Sequence, residues 1–563
     1  MSETLHGMLD AAASRWPDQV VRFPSEGESV SYRELSVSAR ALAAELAAEG
    51  VRTGEAVGVL SPNAPEFLRS LFAVTAAGGA ASPLPLPFGL ADVDSYGQRL
   101  ARIAEVAGMR LIVVSPRLEP LAEHLTAVLP ELRFRPASPA GGTPAALPSV
   151  SLPSVVLPSV AGDDTAIVQF TSGSTAQPKG VRLTHRNVLA GLAAIEEGIA
   201  LGDGDGGGFW LPLFHDMGLF GVMAGIAAGV PLHIWSPVSF IKSPARWLRE
   251  FLASGATISA MPNFGYEMLA VAVSPEEAAG LDLSRWRIAF NGAEPVLHGA
   301  VAEFTGRFAA SGFRAEAMFS VYGMAEATLA VTFPPLGRPP VFDWVDRDEL
   351  AATGRAVSAE RGTSRARAVA GVGRPVPGME LRLAVGGAAG ASGAAGAVSA
   401  EVPDGTVGEI LIRGASVTSG YLGQTAGEAA ACLPGGWLRT GDLAYRRGDE
   451  VFVTGRLKEM ITVRGANFYP QDVEQIARTV PGVFHGNCAA VAGADGVEEV
   501  VLIAETSLTA AAAEQLATDL RRRVAAELGL TAISVRLVKP RAIPRTSSGK
   551  VRRLASREVS GRS

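Results

Sequence analysis

The chain has 563 residues, of which 48% are hydrophobic and 19% charged, with a formal net charge of −6. That length holds two or more domains with cores of their own, and the mild acidity gives no electrostatic footing for nucleic-acid binding. Cys432 and Cys488 are the only cysteines; they lie in no metal-ligand spacing and cannot form a disulfide framework, which fits a reducing, cytoplasmic compartment.

The N-terminus MSETLHGMLD lacks a basic start followed by an apolar stretch, so no secretory leader is expected. Ser31 and Glu34 have the spacing of a capping box at the head of an amphipathic helix, and Ala56-Val-Gly-Val-Leu60 reads as a buried strand. Further strands are expected at 111–114 and 166–170, with helical patterns between them, which points to α/β layers. Residues 136–160, with a repeated Leu-Pro-Ser-Val theme, and 386–400, nearly all Gly, Ala, Ser and Val, read as exposed loops. The apolar run 217–241 contains Pro231, Pro237 and several glycines. It is expected to be a buried strand–helix–strand rather than a membrane span. After about residue 455 the units shorten: a strand at 460–463, a helix from near Gln471, strands at 489–491 and 500–504, a helix over 510–528 and a basic tail. This predicts a separate small α+β domain.

The strongest local signal is Phe170-Thr-Ser-Gly-Ser-Thr-Ala-Gln-Pro-Lys-Gly180, directly after a strand. Glycines let backbone approach an anion, hydroxyls and N–H groups donate to phosphate oxygens, and Lys179 adds positive charge. No Gly-Lys-Ser/Thr run follows, so it is not a Walker P-loop. Only five of the 50 basic residues are lysine: Lys179, Lys242, Lys458, Lys539 and Lys550. Where arginine has displaced lysine elsewhere, a retained lysine marks a position suited to a compact ammonium.

Residues 170–180 resemble the phosphate-binding loop of the adenylate-forming superfamily, which includes acyl-CoA synthetases, peptide-synthetase adenylation domains, luciferases and fatty acyl-AMP ligases. The series continues in order with Asn291-Gly-Ala-Glu-Pro295, Tyr322-Gly-Met-Ala-Glu-Ala-Thr328, Thr440-Gly-Asp442, Gly455-Arg-Leu-Lys458 and Pro544-Arg-Thr-Ser-Ser-Gly-Lys550. The resemblance implies a large α/β domain over 1–455, made of two α/β subdomains and a small β-barrel-like portion. A hinge at 456–459 would lead to a small mobile α+β domain over 460–563. It also implies activation of a carboxylic acid by ATP with Mg²⁺, giving an acyl-adenylate and pyrophosphate.

Site roles follow the same resemblance. Thr171, Ser172, Gly173, Ser174, Thr175 and Lys179 would bind phosphates, with Thr175 also in the catalytic set. Asn291, Gly292, Ala293 and Glu294 would border adenine, together with Tyr322, Gly323, Met324 and Ala325. Asp442 and Arg456 would hold the ribose, Glu326 the Mg²⁺, Lys458 the hinge, and Lys550 would stabilise the transition state. Lys179, Arg456, Lys550 and a Mg²⁺ held by Glu326 would supply the charge neutralisation that a polyphosphate requires.

Leu211-Pro-Leu-Phe-His-Asp-Met-Gly-Leu219 narrows the substrate. Amino-acid-activating relatives carry Asp just after the Phe, where this chain has His215, so an acid without a free α-amino group is expected. His215 reads equally as a structural histidine or as a group beside the carboxylate, and Asp216 is expected to face elsewhere. His215 to Leu219, Ser236-Pro-Val-Ser-Phe240 with Pro244 and Arg246-Trp-Leu248, and Asn467-Phe-Tyr-Pro-Gln-Asp-Val-Glu474 resemble fatty acyl-AMP ligases more than CoA ligases. So does an insertion containing Val345-Asp-Arg-Asp-Glu-Leu350 and an Arg-rich piece through Arg367, which in acyl-AMP ligases is thought to hinder CoA-dependent transfer. The acceptor implied is the phosphopantetheine thiol of a separate acyl carrier protein, since the chain has no Gly-x-Asp-Ser-Leu attachment motif. CoA is the alternative, and a non-catalytic nucleotide-binding homologue is the alternative of another class. For the acyl pocket, His233, Ile234, Trp235, Phe264, Met268 and Phe319 read equally as walls or as ordinary core.

Overall fold

The computed structural model describes residues 2–87, 93–138, 157–171, 178–385, 400–423, 431–464, 466–493, 497–545 and 551–560. Ala56–Leu60 is buried at all five positions, as a strand covered on both faces must be. It is central in a six-stranded sheet ordered Arg133–Pro136, Leu111–Val114, Ala56–Leu60, Ala80–Pro83, Thr165–Thr171, Lys179–Thr184. Only the last pair is antiparallel, with Thr171 opposite Lys179. The capping box at Ser31 and Glu34 forms and opens the helix Tyr32–Ala48.

A second sheet has seven strands: Met318–Ser320, Ile288–Asn291, Ile258–Met261, Gly207–Phe209, Leu232–Ile234, Val20–Phe23 and Glu28–Ser31. All but its last pair run parallel. One continuous apolar core joins both sheets and reaches Leu381, Ile410, Ile412 and Leu438 of a five-stranded antiparallel sheet. Residues 217–241 differ from expectation, being helix–strand–helix: Asp216–Ala228, Leu232–Ile234 and Pro237–Lys242. Gly229, at φ 74°, ends the first helix, and Pro237 opens the second at its first turn, where its missing N–H leaves nothing unsatisfied. Among the described residues no helix is long and apolar enough to cross a membrane.

The C-terminal segment builds a core of its own around Ile461, Val473, Leu502 and Leu520. The helices Pro470–Arg478 and Ala510–Leu528 form as expected. Within the basic tail, Ile533–Val538 adds a strand parallel to Val500–Glu505, and Arg553–Ser560 is helical. The alternation Ile533-Ser-Val-Arg-Leu-Val538 carries the period of a strand, which the density of basic residues obscured. Of the two low-complexity segments, 139–156 and 386–399 lie outside the described residues.

The insertion folds as a hairpin of Phe342–Asp346 and Ala366–Ala370, with the helix Arg347–Thr353 between them capped by the Asp346 carboxylate. From this hairpin Arg367 meets Asp472 of the helix Pro470–Arg478, at 3.2 Å from Nε to Oδ1, and both side chains are under 10% exposed. Arg367 also donates from Nη2 to the Thr454 carbonyl at 2.6 Å and lies 4.3 Å from the centroid of the Tyr469 ring. Burial holds the Asp472 carboxyl above its ordinary range even with Arg367 beside it. Breaking such a pair from one side strands a buried charge, at a cost of roughly 3–5 kcal/mol, whereas replacing both partners by apolar groups is near neutral. Arg367→Ala is therefore expected to raise amide hydrogen exchange in the helix Pro470–Arg478 by at least tenfold, and Arg367→Met with Asp472→Leu to restore most of the protection.

Candidate active site

The strands Ile288–Asn291 and Met318–Ser320 end side by side, Asn291 opposite Ser320, and their following loops make the floor of a cleft. Asn291 is fully buried and donates from Nδ2 to Asn263 Oδ1 at 3.3 Å. Asn263 in turn donates to Glu294 Oε1 at 3.1 Å and the Pro295 carbonyl at 2.8 Å, and accepts from Leu297 N at 3.0 Å. It is thus the tie that shapes the Asn291-Gly-Ala-Glu-Pro loop. No local pattern marks Asn263, which sits 28 residues upstream. Ala293 is held at φ 68°, a left-handed conformation that stores strain in a non-glycine residue. At Gly323 a Cβ would stand 2.0 Å from the Leu329 carbonyl oxygen, so the turn carrying Tyr322 closes only on glycine. Met324 N donates to that same carbonyl at 2.8 Å, and Ala325 is buried at the head of the 3-10 turn Ala325–Ala327.

Tyr322, Asp442 and Arg456 come together. The Tyr322 hydroxyl donates to Asp442 Oδ2 at 2.7 Å, while Arg456 Nε lies 2.8 Å from Oδ1. Asp442 is 5% exposed and Arg456 53%, so the carboxylate is enclosed and the guanidinium reaches the cleft. Burial, then the Asp442 charge, pushes the Tyr322 hydroxyl well above the phenol range, and Asp442 keeps Arg456 protonated.

Glu326 sits on the 3-10 turn Ala325–Ala327. Its Oε1 accepts from the Tyr421 hydroxyl at 2.9 Å, and its carbonyl accepts from Thr418 N at 2.8 Å. Burial raises its carboxyl above the ordinary range, and the Tyr421 hydrogen bond pulls it back. Tyr421 also faces Lys179, whose Nζ lies 5.3 Å from the ring centroid. The bridge between Val181 and Tyr421 and the contacts of Thr418 bring it here, and no local sequence pattern announces them. Thr171 faces Lys179 across the hairpin. Ser172, Gly173, Ser174, Thr175 and Lys550 lie outside the described residues. Lys458 is exposed in the 3-10 turn Leu457–Glu459, between the strands Glu450–Arg456 and Ile461–Val463.

His215 caps the helix Asp216–Ala228, accepting at Nδ1 from Met217 N at 3.4 Å. Asp216 does not face elsewhere: as the first residue of that helix it accepts from Met217 N at 2.7 Å and lines a cavity that opens beside Tyr322. The cavity encloses about 850 Å³ of atom-free space, its open mouth included. Its lining is apolar apart from Asp216 and Tyr322. None of the pocket candidates His233, Ile234, Trp235, Phe264, Met268 and Phe319 lines it. Strand alternation explains His233, which points away from the face that Leu232 presents. Ile234 and Trp235 are buried in the core. Phe319 lies one layer back, edge-on to the lining residues Phe290 and Phe333 at 5.4 and 5.5 Å. Phe264 packs edge-on to Trp210, and Met268 follows on the same helix, Asn263–Ala272.

The family model of AMP-binding enzymes matches residues 9–422, and that of the AMP-binding enzyme C-terminal domain matches 465–557. The chain is 32% identical over 535 residues to a putative acyl-CoA synthetase of Caulobacter vibrioides, covering 93% of this chain and 89% of that one. It is 32% identical over 550 residues to the medium-chain-fatty-acid–[acyl-carrier-protein] ligase JamA of Moorena producens, covering 94% and 90%. A solved structure from a study of fatty acyl-adenylate ligases of E. coli and L. pneumophila superposes with a TM-score of 0.89 at 32% identity, covering 99% of this chain and 97% of that one.

The raised Glu326 carboxyl has a thermodynamic consequence. Its folded-state pKa lies above the ordinary value of 4.5, so stability is full below that value and declines as pH rises and the buried group ionises. Glu326→Gln keeps an acceptor for Tyr421 and removes the charge. Its thermal midpoint should match the native protein near pH 4.5 and exceed it increasingly toward pH 7.

Proposed function

We propose that this protein, which belongs to the AMP-binding enzyme family and is most like the fatty acyl-AMP ligases, activates a fatty acid as its acyl-adenylate and passes the acyl group to a carrier-protein thiol. The observation that carries this reading is the apolar cavity opening beside Tyr322 and Gly323, next to the Tyr322–Asp442–Arg456 cluster. A tail without charge fits the cavity, and its carboxylate would then stand at the mouth near Asp216, Ala293 and Gly323. The relatives include both a putative acyl-CoA synthetase and a carrier-protein ligase.

In the first step a carboxylate oxygen of the acid bonds to the α-phosphorus of ATP and the bond to pyrophosphate breaks. Three anionic groups meet, so the work is charge neutralisation and positioning. Arg456 and Lys179 would supply positive charge for it, and Lys550 would do the same on the α-phosphate side. Asp442, held by Tyr322 and Arg456, would accept the ribose hydroxyls, and the loop Asn291 to Glu294 would border adenine. Glu326 offers a hard carboxylate oxygen, the donor Mg²⁺ prefers alongside phosphates. A buried carboxyl with a raised pKa is also a group that a cation would hold ionised. The metal would supply further charge neutralisation at the phosphates.

In the second step a thiol sulfur bonds to the acyl carbon, AMP leaves with the electron pair, and the thiol proton passes to solvent. A turn of the small domain at Lys458 would exchange the faces presented to the adenylate. The buried contact of Arg367 with Asp472 supports restriction of that turn, and with it preference for a carrier over free CoA.

ATP–pyrophosphate exchange across an acid panel tests the first step. Exchange with fatty acids is expected, and none with any acid would favour a non-catalytic nucleotide-binding role. Lys550→Ala should lose exchange by at least 100-fold yet still transfer from preformed acyl-adenylate. For the acceptor, enzyme, ATP and acid are incubated with CoA or a pantetheinylated carrier protein. Rapid acyl-CoA formation without carrier loading would sink the carrier assignment.

A further inference from the structure

Cavity depth is set by two elements of known pitch. On the helix Asp216–Ala228 the lining residues are Asp216, Met217, Gly221, Ala224 and Gly225, one face at helical spacing. Asp216 lies at the mouth, so the face from Met217 to Gly225 runs inward for about 12 Å, at 1.5 Å per residue. The sheet gives the same measure independently. Leu232, Gly207 and Ile258 form one row across neighbouring strands, and Ala260 pairs with Phe290 two residues further along. Val321, a further two residues on, stands at the mouth beside Tyr322. Four residues of strand span roughly 13 Å.

The deep end is fixed. Cβ atoms on Gly207 and Gly225 would stand 2.6 and 2.7 Å from a Leu232 methyl carbon, so Leu232 closes tightly on both backbones. Behind it the buried Tyr32 hydroxyl lies 2.7 Å from the Val230 carbonyl and 3.3 Å from that of Gly225. Gly221, midway, differs: a Cβ there would meet nothing nearer than Phe209 at 3.5 Å, which leaves its side of the cavity open.

We infer that the cavity is a ruler for straight, unsubstituted acids of about eight to twelve carbons, with Leu232 as its stop and Gly221 as the residue that keeps its middle open. An extended chain advances roughly 1.25 Å per carbon, given carbon–carbon bonds near 1.5 Å at tetrahedral angles, so 12–13 Å holds about ten carbons beyond the carboxyl. The inference rests on reading this cavity as the acyl site.

The test is ATP–pyrophosphate exchange with straight-chain acids from C4 to C18, on the full chain. The native protein should peak between C8 and C12 and fall at least tenfold by C16. Gly221→Leu, whose side chain enters about 6 Å from Met217, should move the peak to C6 or shorter and cut decanoate exchange at least 100-fold. Leu232→Ala should move it to C14 or longer. A native peak at C16–C18 would overturn the ruler while leaving acid activation standing. So would a Gly221→Leu protein that loses all lengths equally while still binding ATP in equilibrium dialysis. No exchange with any straight-chain acid would overturn the acyl reading of the site, and the ruler with it.

Discussion

Two enclosed carboxylates, each held by a phenol, are the constraint around which this cleft is organised. Asp442 takes the Tyr322 hydroxyl and Arg456, and Glu326 takes the Tyr421 hydroxyl. Negative charge in a site meant for a polyphosphate is unfavourable unless it is spent on something other than the phosphates. Here Asp442 is bound to an arginine whose other side faces the cleft, and Glu326 is bound to the Tyr421 hydroxyl, with its charge left for a cation on the proposed reading. The four segments that carry these groups lie up to about 130 residues apart in the chain, so the cleft exists only when the antiparallel sheet is packed on the parallel one. Function is therefore tied to the joint between sheets rather than to any single loop, as expected for ligand sites at the carboxyl ends of parallel strands.

The same joint explains which parts of the molecule could be read in advance. Strands such as Ala56–Leu60 and helices such as Ala510–Leu528 are local patterns of burial and period, and they formed where expected. Motif residues were legible because several come from each stretch: Tyr322 and Gly323, or Asp442 and its neighbours. What stayed hidden belongs to contacts between distant segments. Asn263 and Tyr421 have no sequence neighbours that announce them, and although Arg367 and Asp472 lie in stretches marked by resemblance, nothing in either stretch pairs the two.

The cavity beside Tyr322 was illegible for a different reason. Large apolar residues suggest walls, but walls made of them fill space. Phe319 and Ile234 are fully buried and leave no room beside them. The lining sets large residues such as Phe209, Phe290 and Phe333 opposite small ones, and the small ones, Gly207, Gly221, Ala224, Gly225 and Ala260, leave the room between them. In a sequence with 64 glycines such positions carry no distinguishing mark. Asp216 was misplaced by a related error: counting from the phenylalanine assumes extended backbone, and the helix beginning at that residue turns the carboxylate into the cavity mouth.

Backbone strain shows how firmly the Glu326 turn is built. Thr328 ends it at φ 67° and ψ −56°, a conformation that costs a β-branched residue about 1–3 kcal/mol. Its side chain is fully buried, and the hydroxyl lies within donating distance of the Ser416 carbonyl at 3.0 Å and the Asn187 carbonyl at 3.2 Å. The neighbouring helix passes at Gly191, where a Cβ would stand 2.8 Å from the threonine. Glycine, or threonine's absence, would relax the backbone, but neither would join the turn to both neighbours. The hydroxyl ties it to the helix His185–Gly198 on one side and to the segment leading to Tyr421 on the other. Since Tyr421 then grips Glu326 and Thr418 grips its carbonyl, both the carboxylate and the backbone beneath it are fixed by one short segment. The strain is thus the cost of holding the Glu326 carboxyl at one defined point in the cleft.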